Sequence, residues 1–451
     1  MKRLQKKGSP ALNMTEGPVL QMLIAFSVPI LIGNTFQQLY NIVDTVIIGN
    51  VMGDEALAAV GATSAVYSLV FGFIAGMGNG FSVVLARAFG FGDREQLSRA
   101  VSGTAILAAA VSLILTVISL AAVRPLMVFL GTPEEILSMS LDYLRIILVF
   151  CFVTMLYNTL SGMLRAIGNS RVPLYALILA SVLNVILDIL FVGSFRMGVE
   201  GAALATVLAQ CAAAGMSLVY IVRACPILHI RRDCGSPEKS LIIDLLSTGS
   251  AMAFMLVLTN IGTVAMQGAV NTFGVKTITG HTAARKIHDL FMLPFGTICT
   301  SAATFVSQNY GAGKMERVKS GVKWSLILGS GWSLAALVFV LLFGKTAVRL
   351  LTGTESSEVI QTAYLYLIWN VPFYVILNAL LVMRNSVQGL GGKGIPITAS
   401  MIELVGKFAA AYWLAPVLGY LGICLIEPIT WAASLPIVGF GYFMAIRKLG
   451  G

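Results

Sequence analysis

Twelve long apolar runs constrain this chain more than any other feature. They lie at roughly 20–48, 58–85, 100–122, 141–165, 173–195, 200–223, 246–272, 283–308, 322–344, 362–388, 396–416 and 420–445. Each is long enough to cross a hydrocarbon core of ~30 Å as a helix rising ~1.5 Å per residue. Backbone in lipid must satisfy its own hydrogen bonds, so such runs cross as helices. Of the 451 residues, 57% are apolar and only 11% charged, whereas a soluble chain carries roughly twice that charged share. An all-α polytopic membrane protein follows. The first run comes after "MKRLQKKGSPALNMTEG", which has no small-residue cleavage site, so it is read as a retained first span.

The net charge of +10 could suggest a nucleic-acid partner, but its distribution points elsewhere. With the N-terminus inside, most Lys and Arg fall on one side, among them Lys2, Arg3, Lys6, Lys7, Arg231, Arg232, Lys314, Arg317 and Lys319. Fewer fall opposite: Arg124, Arg196, Lys276, Arg285, Lys286, Lys345 and Arg349, with Arg145 and Lys407 inside spans. That is the positive-inside bias of a membrane protein. It predicts a multi-pass protein of the cell membrane with both termini cytoplasmic and no nucleic-acid partner. Of the cysteines, only Cys225 and Cys234 share a loop, without CxxC or a histidine at metal spacing. No disulfide framework or structural metal is expected.

The second half repeats the first. A shift of 221 residues lays "ARAFGFGDREQLSRA" (86–100) on "SQNYGAGKMERVKSG" (307–321) and pairs Gly53 with Gly274. A shift of 223 lays "RAIGNSRVP" (165–173) on "QGLGGKGIP" (388–396), and "GVEGAAL" (198–204) faces "GYLGICL" (419–425). Six spans per copy is an even number, so both copies enter the membrane in the same sense, as parallel repeats. The expected organisation is an N-terminal six-helix lobe over 1–222, a basic cytoplasmic linker over 223–240 and a C-terminal six-helix lobe over 241–451. Two such lobes around a central cleft suit an alternating-access carrier.

With this duplication, the entry "PILIGNTFQQLYNIVDTVIIGNVMGDEALAAVG", the GAG-type turns after spans 2 and 8 and the G-x-x-x-x-P turns at 168–173 and 391–396, the chain resembles the multidrug and toxin extrusion (MATE) family, its bacterial branches most. The resemblance runs over essentially the whole chain.

Polar residues inside spans then become informative, because ionisable groups in hydrocarbon are costly and mark function. Asp44 lies in the outer half of span 1. Asn184 and Asp188 stand one helical turn apart at a similar depth in span 5, Thr206 in span 6 and Tyr143 in span 4. Their oxygens suit a small hard cation such as Na⁺, or a proton held between carboxylates. The resemblance implies the same set residue by residue. An aspartate in span 1, a tyrosine in span 4, Asn-x-x-x-Asp in span 5 and a threonine in span 6 form the family's cation-coupling network. One family branch carries a glutamate early in span 7, where this chain has Thr259 and Asn260, so coupling is assigned to the N-terminal half.

Asn34, Gln37 and Asn41 recur with Asp44 every three or four residues, and span 7 carries Asn260 and Gln267 at similar phase. These stripes are read as lining the cleft. In the C-terminal copy, Lys407 stands at the position of Asn184 and Glu427 at that of Thr206. A structural Lys407–Glu427 ion pair is expected to silence this half, with Glu403 as the competing partner of Lys407.

Other signals carry less. Gly72, Gly76 and Gly80 sit mid-span at four-residue steps, as close helix packing requires. "FGKT" (343–346) lacks the first glycine of a nucleotide loop, so no nucleotide motor is encoded. "RKIHD" (285–289) is read as the solvated outer start of span 8, and Lys407 as the one deeply placed basic residue. The reading reached is a monomeric secondary antiporter, not an enzyme and without cofactor. It would export cationic amphiphilic molecules in exchange for H⁺ or Na⁺. The alternative is a lipid-linked oligosaccharide flippase, whose anionic cargo would favour several Arg or Lys along the cleft.

Overall fold

The computed structural model describes residues 12–231 and 235–450. Lys2, Arg3, Lys6, Lys7, Arg232 and Cys234, named above, lie outside the described residues. Among the described residues every regular element is helical. Eleven helices are long and apolar enough to cross a membrane, and a bent pair can supply a twelfth. That pair is α5 (Glu134–Val149) and α6 (Cys151–Ala166), which turn through 47° at Phe150.

The first half runs α1 (Val19–Met52), α2 (Asp54–Ala62), α3 (Ser64–Phe91), α4 (Arg94–Phe129), α5, α6, α7 (Arg171–Asp188) and α8 (Gly198–Ala224). The second runs α9 (Lys239–Val270), α10 (Val275–Gly311), α11 (Met315–Thr352), α12 (Ser357–Asn370) and α13 (Tyr374–Gly389). It ends with α14 (Gly394–Ala409), α15 (Ala415–Leu418) and α16 (Tyr420–Gly450). The sequence repeat is a structural one. Left-handed glycines end or join helices at matching places: Gly53 and Gly274, Gly92 and Gly313, Gly168 and Gly391, Gly198 and Gly419. Only a residue without Cβ takes that conformation at no steric cost, so the duplicated glycines fix duplicated turns. A π-helical stretch also recurs, Ile189–Ser194 after α7 and Ala410–Leu414 after α14.

The chain divides into two compact units. One contains Val28–Val257 with the segment ending at Met14, and the other Thr15–Ser27 with Leu258–Gly451. The division therefore falls inside α1 and inside α9, not in the 223–240 linker. Packing explains this. A Cβ on Gly76 would lie 2.3 Å from the Ala253 Cα, and one on Gly80 would lie 2.5 Å from the Gly249 Cα. Backbone meets backbone there, so the start of α9 belongs with α3. The linker continues the attachment through Arg99, which pairs with Glu238 at 2.9 Å, and Arg87 holds Asp244 at 3.0 Å.

This contact gives a prediction. Neither backbone can yield, so Gly80→Val should lower stability by about 1–3 kcal/mol or more through overpacking. Gly215→Ala, at a helical site with nothing within 4 Å of the added carbon, should be neutral or slightly stabilising. Thermal melting in detergent distinguishes the two.

Candidate cation site

Asp44 and Asp188 approach each other because α1 and α7 run side by side in the first unit. Gly33 of α1 lies against Leu174 and Leu177 of α7, where an added Cβ would sit 3.3 Å from the Leu177 side chain. Three turns further along each helix stand Asp44 and Asp188. Their side chains are within hydrogen-bonding reach of one another. Two ionised carboxylates have no hydrogen to share, so the contact calls for a proton or another cation between them.

The surrounding oxygens reinforce that requirement. Asp188 is fully buried and Asn184 nearly so. No described hydrogen-bond donor serves Asp44 Oδ1, Asn184 Oδ1 or either carboxylate oxygen of Asp188. The Asn184 amide donates to Thr206 Oγ1 at 3.4 Å, which turns its carbonyl oxygen free of that bond. Tyr143 is buried and lies in electrostatic range of both aspartates. All five residues expected from the sequence therefore converge in the first unit. The oxygens of Asp44, Asn184, Asp188 and Thr206 are the right kind for Na⁺ and equally able to share a proton.

The sequence missed two neighbours. Tyr40 and Tyr67 both lie in electrostatic range of Asp44, and Tyr67 stacks on Phe71 with ring centroids 4.0 Å apart. Tyr40 could have been found, since it precedes Asp44 by one turn. Nothing in the spacing announces Tyr67, which arrives from α3. A second polar layer also went unnoticed: Thr154 of α6 donates to Gln210 of α8, one turn beyond Thr206.

The polar stripes are placed unit by unit. Asn34 is half-buried on α1, while Gln37 and Asn41 are exposed. In the second unit Asn260 and Gln267 are half-buried on α9, and Gln267 donates to Asn271 at 2.9 Å.

The charges of the second unit require correction. Lys407 Nζ does lie 3.9 Å from Glu427 Oε1, but Glu427 has closer partners. Arg285 Nη1 donates to Oε1 at 2.9 Å, and the Tyr366 hydroxyl donates to Oε2 at 2.6 Å. Arg285 also donates to the Tyr366 oxygen at 3.0 Å. Tyr366 is the counterpart of Tyr143 under the 223-residue shift, so the second copy of the site is closed by its own arginine. Glu403 is not the competing partner of Lys407; it pairs with Arg384 at 2.9 Å. Nor is Lys407 the one deep basic residue, because Arg384 is also buried.

"RKIHD" is solvated only in part: Lys286 and Asp289 are exposed, but Arg285 is half-buried and Ile287 and His288 are buried. α10 begins at Val275, so Arg285 is several turns inside it. His288 is buried with its Nδ1 2.8 Å from the Tyr374 hydroxyl, and His281 lies 3.0 Å from that of Tyr420. Among the described residues no group of three or more His, Cys, Asp or Glu could hold a metal ion.

Two repeated six-span halves, with a carboxylate pair of one buried and one half-buried aspartate in the first, define a duplicated helical membrane protein of the transporter type. The MatE family model matches residues 29–190 and again 251–413, and the chain belongs to that family. It is 28% identical over 405 residues to the probable multidrug resistance protein YpnP of Bacillus subtilis, covering 90% of this chain and 88% of that one. It is 24% identical to the probable multidrug resistance protein NorM of Thermotoga maritima, over 93% of this chain and 91% of that protein. Among solved structures, an outward-facing multidrug resistance MATE family transporter of the MOP superfamily superposes with TM-score 0.89 at 23% identity. The match covers 99% of this chain and 100% of the other. A MATE protein in the bent conformation matches equally, TM-score 0.89 at 23% identity, over 99% and 98%.

Proposed function

We propose that this protein is a secondary antiporter that exports cationic amphiphilic compounds in exchange for H⁺ or Na⁺ by alternating access. It would act as a monomer in the cell membrane with both termini cytoplasmic. The Asp44–Asp188 contact carries the reading. A carboxylate pair that needs a cation between its members can load that cation on one side and release it on the other. The relatives named as multidrug resistance proteins supply the cargo class. In this scheme Asn184 and Thr206 orient the pair, and Tyr143 excludes water from it.

A flippase for lipid-linked oligosaccharides is less well supported. Its pyrophosphate would favour unneutralised basic side chains, whereas Arg285 and Arg384 are each paired with a glutamate.

Dye transport in proteoliposomes, under separately imposed pH and Na⁺ gradients, tests the proposal. One gradient alone should drive dye against its concentration. Transport indifferent to both gradients would remove the antiport reading.

A further inference from the structure

α6 carries a row of hydrogen-bond donors that the cation site does not use. Tyr157, Ser161 and Arg165 follow one another at four-residue steps, so they share one face of the helix. Asn79 of α3 stands against the end of the row, its Oδ1 accepting from Arg165 Nη2 at 3.3 Å. The two helices touch through glycines beside it. A Cβ on Gly162 would lie 3.0 Å from the Gly78 carbonyl oxygen, and one on Gly78 3.1 Å from the Asn158 Cβ. The row therefore stands on closely packed backbone.

Arg165 is unlike the other arginines that are buried or half-buried. Among the described residues, Arg87, Arg99, Arg285 and Arg384 each hold a carboxylate. Arg317 donates to the carbonyls of Glu16 and Gly17. Arg165, half-buried, has Asn79 as its bonding partner and Tyr157 in electrostatic range, but no carboxylate. Its Nε and Nη1 make no hydrogen bond to a described residue, and neither is sealed from solvent. One turn back along the row, Ser161 is 1% exposed and its Oγ has no described partner.

The fold does not demand this charge. Under the 223-residue shift Arg165 corresponds to Gln388, which is buried in the second copy. A neutral amide serves the matching position there. An ionisable group inside a span that packing does not require marks a substrate path. Its place also separates it from the cation site. Thr154 of α6 bonds Gln210, one turn beyond Thr206. Arg165 lies about 16 Å further along α6 at ~1.5 Å per residue, toward the end that the proposed orientation makes cytoplasmic.

We infer that Arg165 binds a carboxylate on the cargo, with Ser161 and the Asn79 amide as neutral donors beside it. The carrier then favours amphiphiles that bear a carboxylate as well as a cationic group. This rests on the export reading above and narrows its substrate class. A planar guanidinium meets a carboxylate through parallel N–H···O bonds, which are stronger than those between neutral groups. One guanidinium among neutral donors suits one carboxylate, whereas a pyrophosphate would call for several cations.

Rhodamine 110 and its methyl ester, rhodamine 123, differ only in that carboxylate. Fluorescence polarisation of each dye with the full chain in detergent tests the inference. The wild type should bind rhodamine 110 roughly tenfold more tightly than the ester, a factor worth about 1.4 kcal/mol. Arg165→Gln, which borrows the residue of the second copy, should bring the two affinities together by weakening rhodamine 110. Arg165→Met supplies a second uncharged variant, and melting temperature shows that each is folded. Binding is read without a gradient, so the result stands apart from the gradient assay that tests antiport. Equal affinities in the wild type would overturn the inference, as would an unchanged ratio in either folded variant.

Discussion

Asp44→Asn should abolish gradient-driven dye export while leaving well-folded protein in the membrane. The substitution keeps the size of the side chain and much of its hydrogen bonding but removes the ionisable group facing Asp188. An amide can donate directly to Asp188, so the pair no longer needs a shared cation and has nothing to exchange. Replacing a buried charge by a neutral isostere is often neutral or stabilising, so expression and melting temperature should hold or rise. The expected loss is complete coupling, read as dye accumulation falling to the level of vesicles without a gradient. Full export by a folded Asp44→Asn variant would end the coupling role.

Arg285→Leu should be among the most damaging substitutions in the second unit. It leaves Glu427, whose side chain is 5% exposed, without its nearest cation. Stranding one member of a buried pair costs roughly 3–5 kcal/mol. Lys407→Met should be mild by comparison. Its ammonium is 3.9 Å from Glu427, beyond hydrogen-bonding distance, and Glu427 keeps Arg285 and Tyr366 without it. The double variant Arg285→Leu/Glu427→Gln should recover much of the stability lost in Arg285→Leu, since neither charge is then stranded. Melting curves and the folded fraction on size exclusion check all three. If Lys407→Met proves as harmful as Arg285→Leu, the lysine and not the arginine is the anchor of Glu427.

What could be read from the sequence followed from the solvent. In hydrocarbon a polar residue stands out, so Asp44, Asn184, Asp188 and Thr206 could be picked out by type and depth, and the structure brings them together. The duplication was legible because its glycines serve turns that only glycine enters cheaply, at 53 and 274 or 168 and 391. The same logic failed for α10. "VKTITGHTAARKIHD" is polar enough to pass for a loop, yet three of its polar side chains find partners in the protein: Arg285 in Glu427, His288 in Tyr374, and His281, through Nδ1, in Tyr420. Those partners lie far along the chain, and no local pattern announces them. The partner of Glu403 is hidden for the same reason, because Lys407 is near in sequence whereas Arg384 is near in space. The unit boundary was hidden too. Composition places it in the polar linker, whereas the glycine contacts of α3 carry the start of α9 into the first unit.

The central claim is that Asp44 and Asp188 act as one cation-exchanging site. Proton release on addition of a cationic substrate, measured in weakly buffered detergent solution at neutral pH, tests it most directly. Release should be seen in the wild type and lost in both Asp44→Asn and Asp188→Asn, because each variant removes the partner with which the proton is shared. Release that persists undiminished in folded Asp188→Asn would contradict the claim and leave Asp44 acting alone.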